Sequence, residues 1–384
     1  MPTSSKYLFL VLLLLISFND LEAQNVNGSI IHDGVEREYI LYIPSSYTAG
    51  NSAPLVINLH GYGSNRGEQL IYSNFTPTAD EHGFLVVHPQ GSLNNVGSTH
   101  WNANWGTGVD DVGFISALID SLSVDYAVDL DRVYSTGMSN GGFMSYTLAC
   151  QLSDRIAAIA SVTGTMTIGQ AALCDSPKAV PVMEIHGTAD GVVPYGGSNL
   201  GVGIDNVIDF WVNKNACDTD PQITMIEDTN VSDDSTVEHY VYSNGTDGSS
   251  VELYKIIGGG HTWPGAFNIG DVTNQDISAT VKIWEFFSKY TLNGLLTSNE
   301  IIDSAKAVSI IPNPATDLVY LEFENDMSAK FISIYDIAGK VIKQIKSPTD
   351  KLQIDVAGWT PATYFIQIYT DNEVVTKKMI VIEK

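Results

Sequence analysis

The chain has 384 residues, 44% apolar and 10% aromatic, enough for one large core and a second, smaller one. Its 19 basic against 44 acidic side chains give a formal net charge of −25. A surface that acidic repels phosphate backbones, which argues against nucleic acid as a partner and suits solubility in salty surroundings.

In chain order, Lys6 precedes an apolar run over residues 7–18 that is too short to span a bilayer, followed by Asn19, Asp20 and the small Ala23. This is the pattern of a signal peptide over residues 1–23, cut ahead of Gln24. No other segment is apolar enough to cross a membrane, so the mature chain is expected to be exported, with no integral membrane segment. Residues 37–43 alternate like a half-exposed strand, whereas 54–60 and 84–88 are continuous apolar runs, as strands buried on both faces should be. Residues 112–126 show helical spacing, with Phe114, Ile115, Leu118 and Ile119 on one face. Residues 132–136 read as a buried strand and 143–150 as a helix. Further strands are expected at 155–160, 181–186 and 251–256, and helices at 207–211 and 279–290. Such alternation predicts an α/β fold with a mostly parallel central sheet over residues 24–295. A polar linker covers 296–307. Residues 308–384 then read as short strands between the turn signals Pro312-Asn313-Pro314, Asn325-Asp326, Ala338-Gly339 and Asp371-Asn372, a small β-sandwich with no acid/base cluster of its own.

The chemistry concentrates in four loops. Gly137-Met138-Ser139-Asn140-Gly141-Gly142 stands between a strand and a helix, the context that presents a nucleophilic serine. A serine needs a base to take its proton, and the base needs an acid to fix its tautomer. In an α/β-hydrolase these follow in the order serine, acid, histidine, each beyond a strand end. Asp190 in Gly187-Thr188-Ala189-Asp190 and His261 in Gly258-Gly259-Gly260-His261 meet that order. Oxyanion donors are expected at the N–H of Asn140 and, from the loop His60-Gly61-Tyr62-Gly63, at Tyr62. His60 is expected to orient that loop by a side-chain hydrogen bond. Trp101 and Trp105, in a polar loop, and Trp263 are candidate substrate contacts, by stacking or as an apolar strip. Asp110-Asp111 reads as a helix N-cap. His32, His82, His88, His186 and His239 read as structural. Three cysteines allow one disulfide; the loop-like surroundings of Cys174 and Cys217 favour that pair, with Cys150 as core. No cysteine or histidine has metal-ligand spacing, and the mechanism requires no metal or cofactor.

With these motifs in place, residues 26–290 resemble the secreted esterases of carbohydrate esterase family 1. These are the feruloyl and acetylxylan esterases, with relatives described as polyhydroxybutyrate depolymerases. The likeness rests on Leu59-His60-Gly61-Tyr62-Gly63, the stretch around Ser139, His186-Gly187-Thr188-Ala189-Asp190 and Gly260-His261-Thr262-Trp263-Pro264-Gly265. Asp110-Asp111-Val112-Gly113-Phe114 and Asn215-Ala216-Cys217 add to it. Tyr62 departs from the smaller residue that relatives often carry, which implies a narrower acyl pocket. Residues 305–384 resemble the C-terminal sorting domain of the type IX secretion system of Bacteroidetes, on Ile311-Pro312-Asn313-Pro314-Ala315-Thr316-Asp317, residues 335–340 and residues 358–365.

The resemblances imply an extracellular or surface-attached serine carboxylesterase, with that secretion machinery as partner. Its expected substrate is a feruloyl or acetyl ester on a polysaccharide. Alternatives are a polyester such as polyhydroxybutyrate, acyl transfer to a sugar in place of water, and a catalytically silent binding protein.

Overall fold

A computed structural model describes residues 23–48, 50–296, 308–323, 330–336, 340–346, 351–369 and 374–382. The expected signal peptide up to residue 22, most of the expected linker and the turn signals at 325–326, 338–339 and 371–372 lie outside the described residues.

Ten strands form one sheet: β1 (Gln24–His32), β2 (Val35–Ile43), β3 (Ala53–Leu59), β4 (Leu85–Pro89), β5 (Val128–Met138), β6 (Ala158–Val162), β7 (Val182–Gly187), β8 (Gln222–Met225), β9 (Thr236–Tyr242) and β10 (Val251–Ile257). The order across the sheet is β1-β2-β4-β3-β5-β6-β7-β10-β9-β8. The six central strands from β4 to β10 are parallel. Antiparallel pairs flank them at both ends. The central strands are buried on both faces, which is why they read as unbroken apolar runs.

Among the described residues seven α-helices connect the strands: α1 (Arg66–Ser73), α2 (Thr76–His82), α3 (Asp111–Asp125), α4 (Asn140–Gln151), α5 (Gln170–Leu173), α6 (Ile204–Lys214) and α7 (Ala279–Phe287). The two-residue period of each strand divides the core. Leu55, Ile57 and Ile159 pack with Phe114 of α3, Met144 of α4 and Trp211 of α6. Val56, Ala158 and Ala160 pack on the other face with Ala79 of α2 and Ile283 and Phe287 of α7. α4 is buried from Asn140 to Cys150, so the residues after Ser139 are core as well as helix.

Some boundaries differ from the sequence reading. The strand expected from 155 starts at Ala158, because residues 153–155 turn after α4. The last helix ends at Phe287, not at Tyr290. Asp110 caps α3, accepting from Gly113 N–H at 2.8 Å. Asp111, in contrast, is buried and pairs with Arg37 at 2.6 Å.

The C-terminal strands are β11 (Val308–Ile311), β12 (Leu318–Phe323), β13 (Phe331–Tyr335), β14 (Val341–Lys346), β15 (Lys351–Asp355), β16 (Ala362–Tyr369) and β17 (Val374–Val381). They form two antiparallel sheets, β11-β12-β15 and β14-β13-β16-β17. Val319, Leu321 and Ile354 of one sheet share a core with Ile332, Ile334, Ile366 and Ile368 of the other, the sandwich arrangement.

Candidate active site

β5 runs into Ser139, and α4 begins at the next residue. Ser139 lies at φ 54° and ψ −118°, a strained region worth about 1–3 kcal/mol that persists only when its surroundings dictate it. They do: its N–H donates to Val162 O at 2.8 Å, and its carbonyl accepts from Phe143 N–H at 3.0 Å. A Cβ on Gly137 would stand 2.6 Å from the Leu59 carbonyl oxygen, and one on Gly141 would fall on the same group. The glycines on either side of Ser139 therefore let the turn close against the end of β3.

Asp190 follows β7, and His261 follows β10, its parallel neighbour. His261 Nδ1 lies 2.7 Å from Asp190 Oδ2. Asp190 Oδ1 accepts from the N–H groups of Val192 and Val193, both at 2.8 Å. Burial alone would raise this carboxyl; the bonds from His261 and Val193 outweigh it and hold it below the usual carboxylate range. The His261 N–H donates to Asp271 Oδ2 at 2.8 Å, which anchors its loop. Ser139 and His261 line one cavity of about 400 Å³. Among the described residues no hydrogen bond joins Ser139 Oγ to His261; such bonds are often long before substrate binds.

Asn140 is the first residue of α4, so its N–H has no acceptor within the helix. The loop carrying Tyr62 lies alongside: a Cβ on Gly61 would stand 3.6 Å from Ser139 Cβ. Among the described residues the Tyr62 N–H has no acceptor, whereas the next, that of Gly63, goes to Thr99 O at 2.8 Å. His60 holds this loop through both ring nitrogens, as its sequence context suggested. Nδ1 lies 2.8 Å from Gly61 O, and Nε2 accepts from Gly91 N–H at 2.9 Å. That pair of bonds requires a neutral ring, and burial pushes its pKa down to about 4.

The rest of the cavity is mostly apolar, with Met138, Tyr62, Ile71, Tyr72, Phe267 and Ile269 beside the polar Ser64, Glu68 and Gln69. The rings of Tyr72 and Phe267 meet edge to face at 5.2 Å. A larger, more polar groove of about 710 Å³ along residues 32–38, 90–93 and 108–110 contains none of the expected site residues. There His32, Asp33 and Asp110 bring donor atoms within 4.8 Å, but His32 already bonds Asp110, and both carboxylates are exposed.

Residues 37–196 match the family Esterase PHB depolymerase, and residues 309–382 match the Secretion system C-terminal sorting domain. A bifunctional acetylxylan esterase/xylanase of Neocallimastix patriciarum is 28% identical over 72% of this chain and 36% of its own length. A probable feruloyl esterase C of Aspergillus clavatus is 34% identical over 50% of this chain and 65% of its own length. This chain thus spans about a third of the first relative and under two thirds of the second. The solved acetyl xylan esterase from Aspergillus awamori superposes with a TM-score of 0.50 at 15% identity, over 70% of this chain and 99% of that one. The fold of the part built on the ten-stranded sheet is that of an α/β-hydrolase. The sorting domain places the protein outside the cell or on its surface. Among the described residues no helix is long and apolar enough to cross a membrane.

None of the three tryptophans expected as substrate contacts lines this cavity. Trp101 is fully buried: its indole N–H donates to His60 O at 2.9 Å, and its backbone N–H to Asn140 Oδ1 at 2.7 Å. It braces the two loops that carry the expected oxyanion donors. Trp263 is buried against Phe75, with its indole N–H on Thr280 Oγ1 at 3.0 Å. Only Trp105 is exposed, at 39%, its ring tilted over Phe143, and it is not among the cavity-lining residues. Spacing in a polar loop says nothing of which indole finds a buried acceptor.

The expected Cys174–Cys217 disulfide is also corrected. Cys174, at the end of α5, pairs with Cys150 near the end of α4, with 4.7 Å between their Cα atoms. Cys217 is a buried thiol directed at Ser249 O. The packing of α5 against the end of α4 decides this pairing, and no local signal encodes it. Sequence reasoning also missed Glu184, Phe267 and Ile269. Glu184 lies inside an apolar strand run, where a lone carboxylate is the only available signal. The other two sit in a loop without a motif.

Proposed function

We propose that this protein is an extracellular serine carboxylesterase in which Ser139, His261 and Asp190 form the catalytic triad. The observation that carries this reading is the 2.7 Å contact of His261 Nδ1 with Asp190, made on the rim of the cavity that holds the strained Ser139. Asp190 keeps the proton on Nδ1 and leaves Nε2 free as base. Nε2 takes the Ser139 proton as Oγ attacks the ester carbonyl carbon. The N–H groups of Tyr62 and Asn140 hold the oxyanion. Collapse expels the alcohol, which takes the proton from Nε2 and leaves an acyl-enzyme. Water then gives a proton to Nε2, attacks the acyl carbon, and releases the acid and Ser139. Residues 24–295 would carry this chemistry; residues 1–23 would direct export, 296–307 link, and 308–384 engage the type IX secretion machinery.

The substrate class we favour is a feruloyl or acetyl ester on a polysaccharide, in keeping with the names of the relatives. The apolar cavity favours the larger, aromatic acyl group of the two. A second reading, hydrolysis of polyhydroxybutyrate or a similar polyester, is favoured by Tyr62, Ile71, Phe267 and Ile269, each more than half exposed around the cavity. Apolar side chains clustered at a site suit an extended apolar ligand. One panel tests both: initial rates on methyl ferulate, acetylated xylan and polyhydroxybutyrate, with Ser139→Ala as control. Ferulate or acetate release by wild type alone supports the first reading, and release of hydroxybutyrate alone supports the second. Equal rates with Ser139→Ala would refute both.

A further inference from the structure

Behind the Asp190–His261 pair lies a second histidine and carboxylate that the mechanism above does not use. Glu184 and His186, two residues apart on β7, point to the same face and are both fully buried. His186 Nδ1 lies 2.9 Å from Glu184 Oε1, and Tyr146 OH of α4 donates to Glu184 Oε2 at 2.8 Å. On the other side, His186 Nε2 lies 2.8 Å from Val193 O and 3.5 Å from Asp190 Oδ2. Val193 itself donates its N–H to Asp190 Oδ1. His186 therefore grips the 190–193 turn by its carbonyl while the same turn grips the carboxylate that faces His261.

The proton positions follow from the partners. A carbonyl oxygen only accepts, so Nε2 carries a hydrogen. The contact of Nδ1 with Glu184 needs a second proton, held by either partner. A bare carboxylate against a bare nitrogen would place a second buried negative charge beside Asp190. The pair thus retains one shared proton and presents Asp190 with an N–H. Burial raises the Glu184 carboxyl, and its bonds to Glu184 and Val193 raise His186 despite a burial penalty, both directions in keeping with a retained proton.

We propose that His186, held in place by Glu184 and Tyr146, is a positioning residue that sets the Asp190 carboxylate against His261. This rests on the triad reading. The titratable groups around His186 are Glu184 on its own strand, Tyr146 from α4, Asp190 and Tyr195 from the following segment, and Lys255, its register partner on β10.

The test is steady-state hydrolysis of p-nitrophenyl acetate against pH by wild type, Ser139→Ala, Asp190→Asn, His186→Gln and His186→Asn. The glutamine amide reaches the Nε2 position and still donates to Val193 O; the shorter asparagine does not. We expect His186→Asn to lose about 10- to 100-fold in kcat, the scale of a small misplacement of a catalytic group. KM should change little, the acid limb of its kcat/KM profile should move to lower pH, and His186→Gln should recover much of the loss. A merely structural residue would scale the profile without moving that limb. Loss in Ser139→Ala and Asp190→Asn with no loss in His186→Asn overturns this proposal alone; full activity in Ser139→Ala overturns the triad reading and this proposal with it. Nitrogen-15 spectra of the histidine-labelled wild type need no variant: a proton kept on His186 Nε2 from about pH 5 to 9 supports the arrangement, and a bare Nε2 there overturns it.

Discussion

Asn140 and Trp101 are joined by two hydrogen bonds, Trp101 N–H to Asn140 Oδ1 at 2.7 Å and Asn140 Nδ2–H to Trp101 O at 3.1 Å. The residue expected to hold the oxyanion through its backbone is thus fixed through its side chain to the loop that also braces His60. Asn140→Ala leaves the buried N–H of Trp101 unpaired, while its carbonyl keeps the bond from Ala103 N–H, at about 1–3 kcal/mol of stability. It also frees the turn around Ser139. The expected result is a kcat lower by about 10- to 100-fold with KM nearly unchanged, measured with p-nitrophenyl acetate. A rise in KM alone would place Asn140 in substrate binding instead.

Phe267 and Ile269 line the cavity with Tyr72 and Ile71, and the Phe267 ring packs edge to face on Tyr72. Removing apolar contacts from one wall of a pocket costs about 1–3 kcal/mol of discrimination. Phe267→Ala is therefore expected to lower kcat/KM for methyl ferulate by about 10- to 100-fold relative to p-nitrophenyl acetate. An equal effect on both esters would mean that Phe267 shapes the loop and not the acyl site.

The disulfide closes a loop with a sequence separation of 24, for which chain entropy gives about 3 kcal/mol. Cys150→Ala and Cys174→Ala should each lower the unfolding midpoint by a similar amount, and the double variant no further. Peptide mapping of the unreduced protein should find Cys150 joined to Cys174 and Cys217 as a free thiol.

How much of this was legible depended on how local each cause is. The turn around Ser139 and the loops of Asp190 and His261 are written in glycines that the backbone itself requires, so they could be read and placed in order. β3, β4 and β7 announce themselves as apolar runs because both faces are buried. β1 does not: Asn25, Asn27, Gly28 and Ser29 belong to an edge strand whose alternation is only half-buried, and its pairing with β2 is the reason it is extended. The Trp101 brace and the Cys150 partner are contacts between distant segments, and nothing near them in the chain foretells them; the Glu184–His186 pair is local, but its grip on Tyr146 and on the 190–193 turn is set by the packing of α4 and of that turn against β7.

Two buried histidines predict an acid-side loss of stability. Burial lowers His60 to about 4 and His88 to about 3, below the usual value of 6.5. The unfolded chain then binds more protons than the folded one below about pH 6.5, so their stabilisation is complete above that pH and is lost as pH falls toward 4. His186, raised instead, contributes fully below its unfolded value and loses its contribution as pH rises through its folded one, so it acts above this window. The unfolding midpoint should start to fall near pH 6.5, ahead of the carboxylate range. A midpoint flat down to pH 5 would contradict the neutral, buried state of both rings.

Covalent trapping distinguishes Ser139 from every other nucleophile in the chain. The protein is treated with a fluorophosphonate, and its peptides are analysed by mass spectrometry alongside residual hydrolysis of p-nitrophenyl acetate. If Ser139 is the nucleophile, one phosphonyl group forms, on the peptide containing Ser139, with activity lost in proportion to its formation and no labelling of Ser139→Ala. Labelling at another residue, or full activity in a completely Ser139-modified protein, would contradict it.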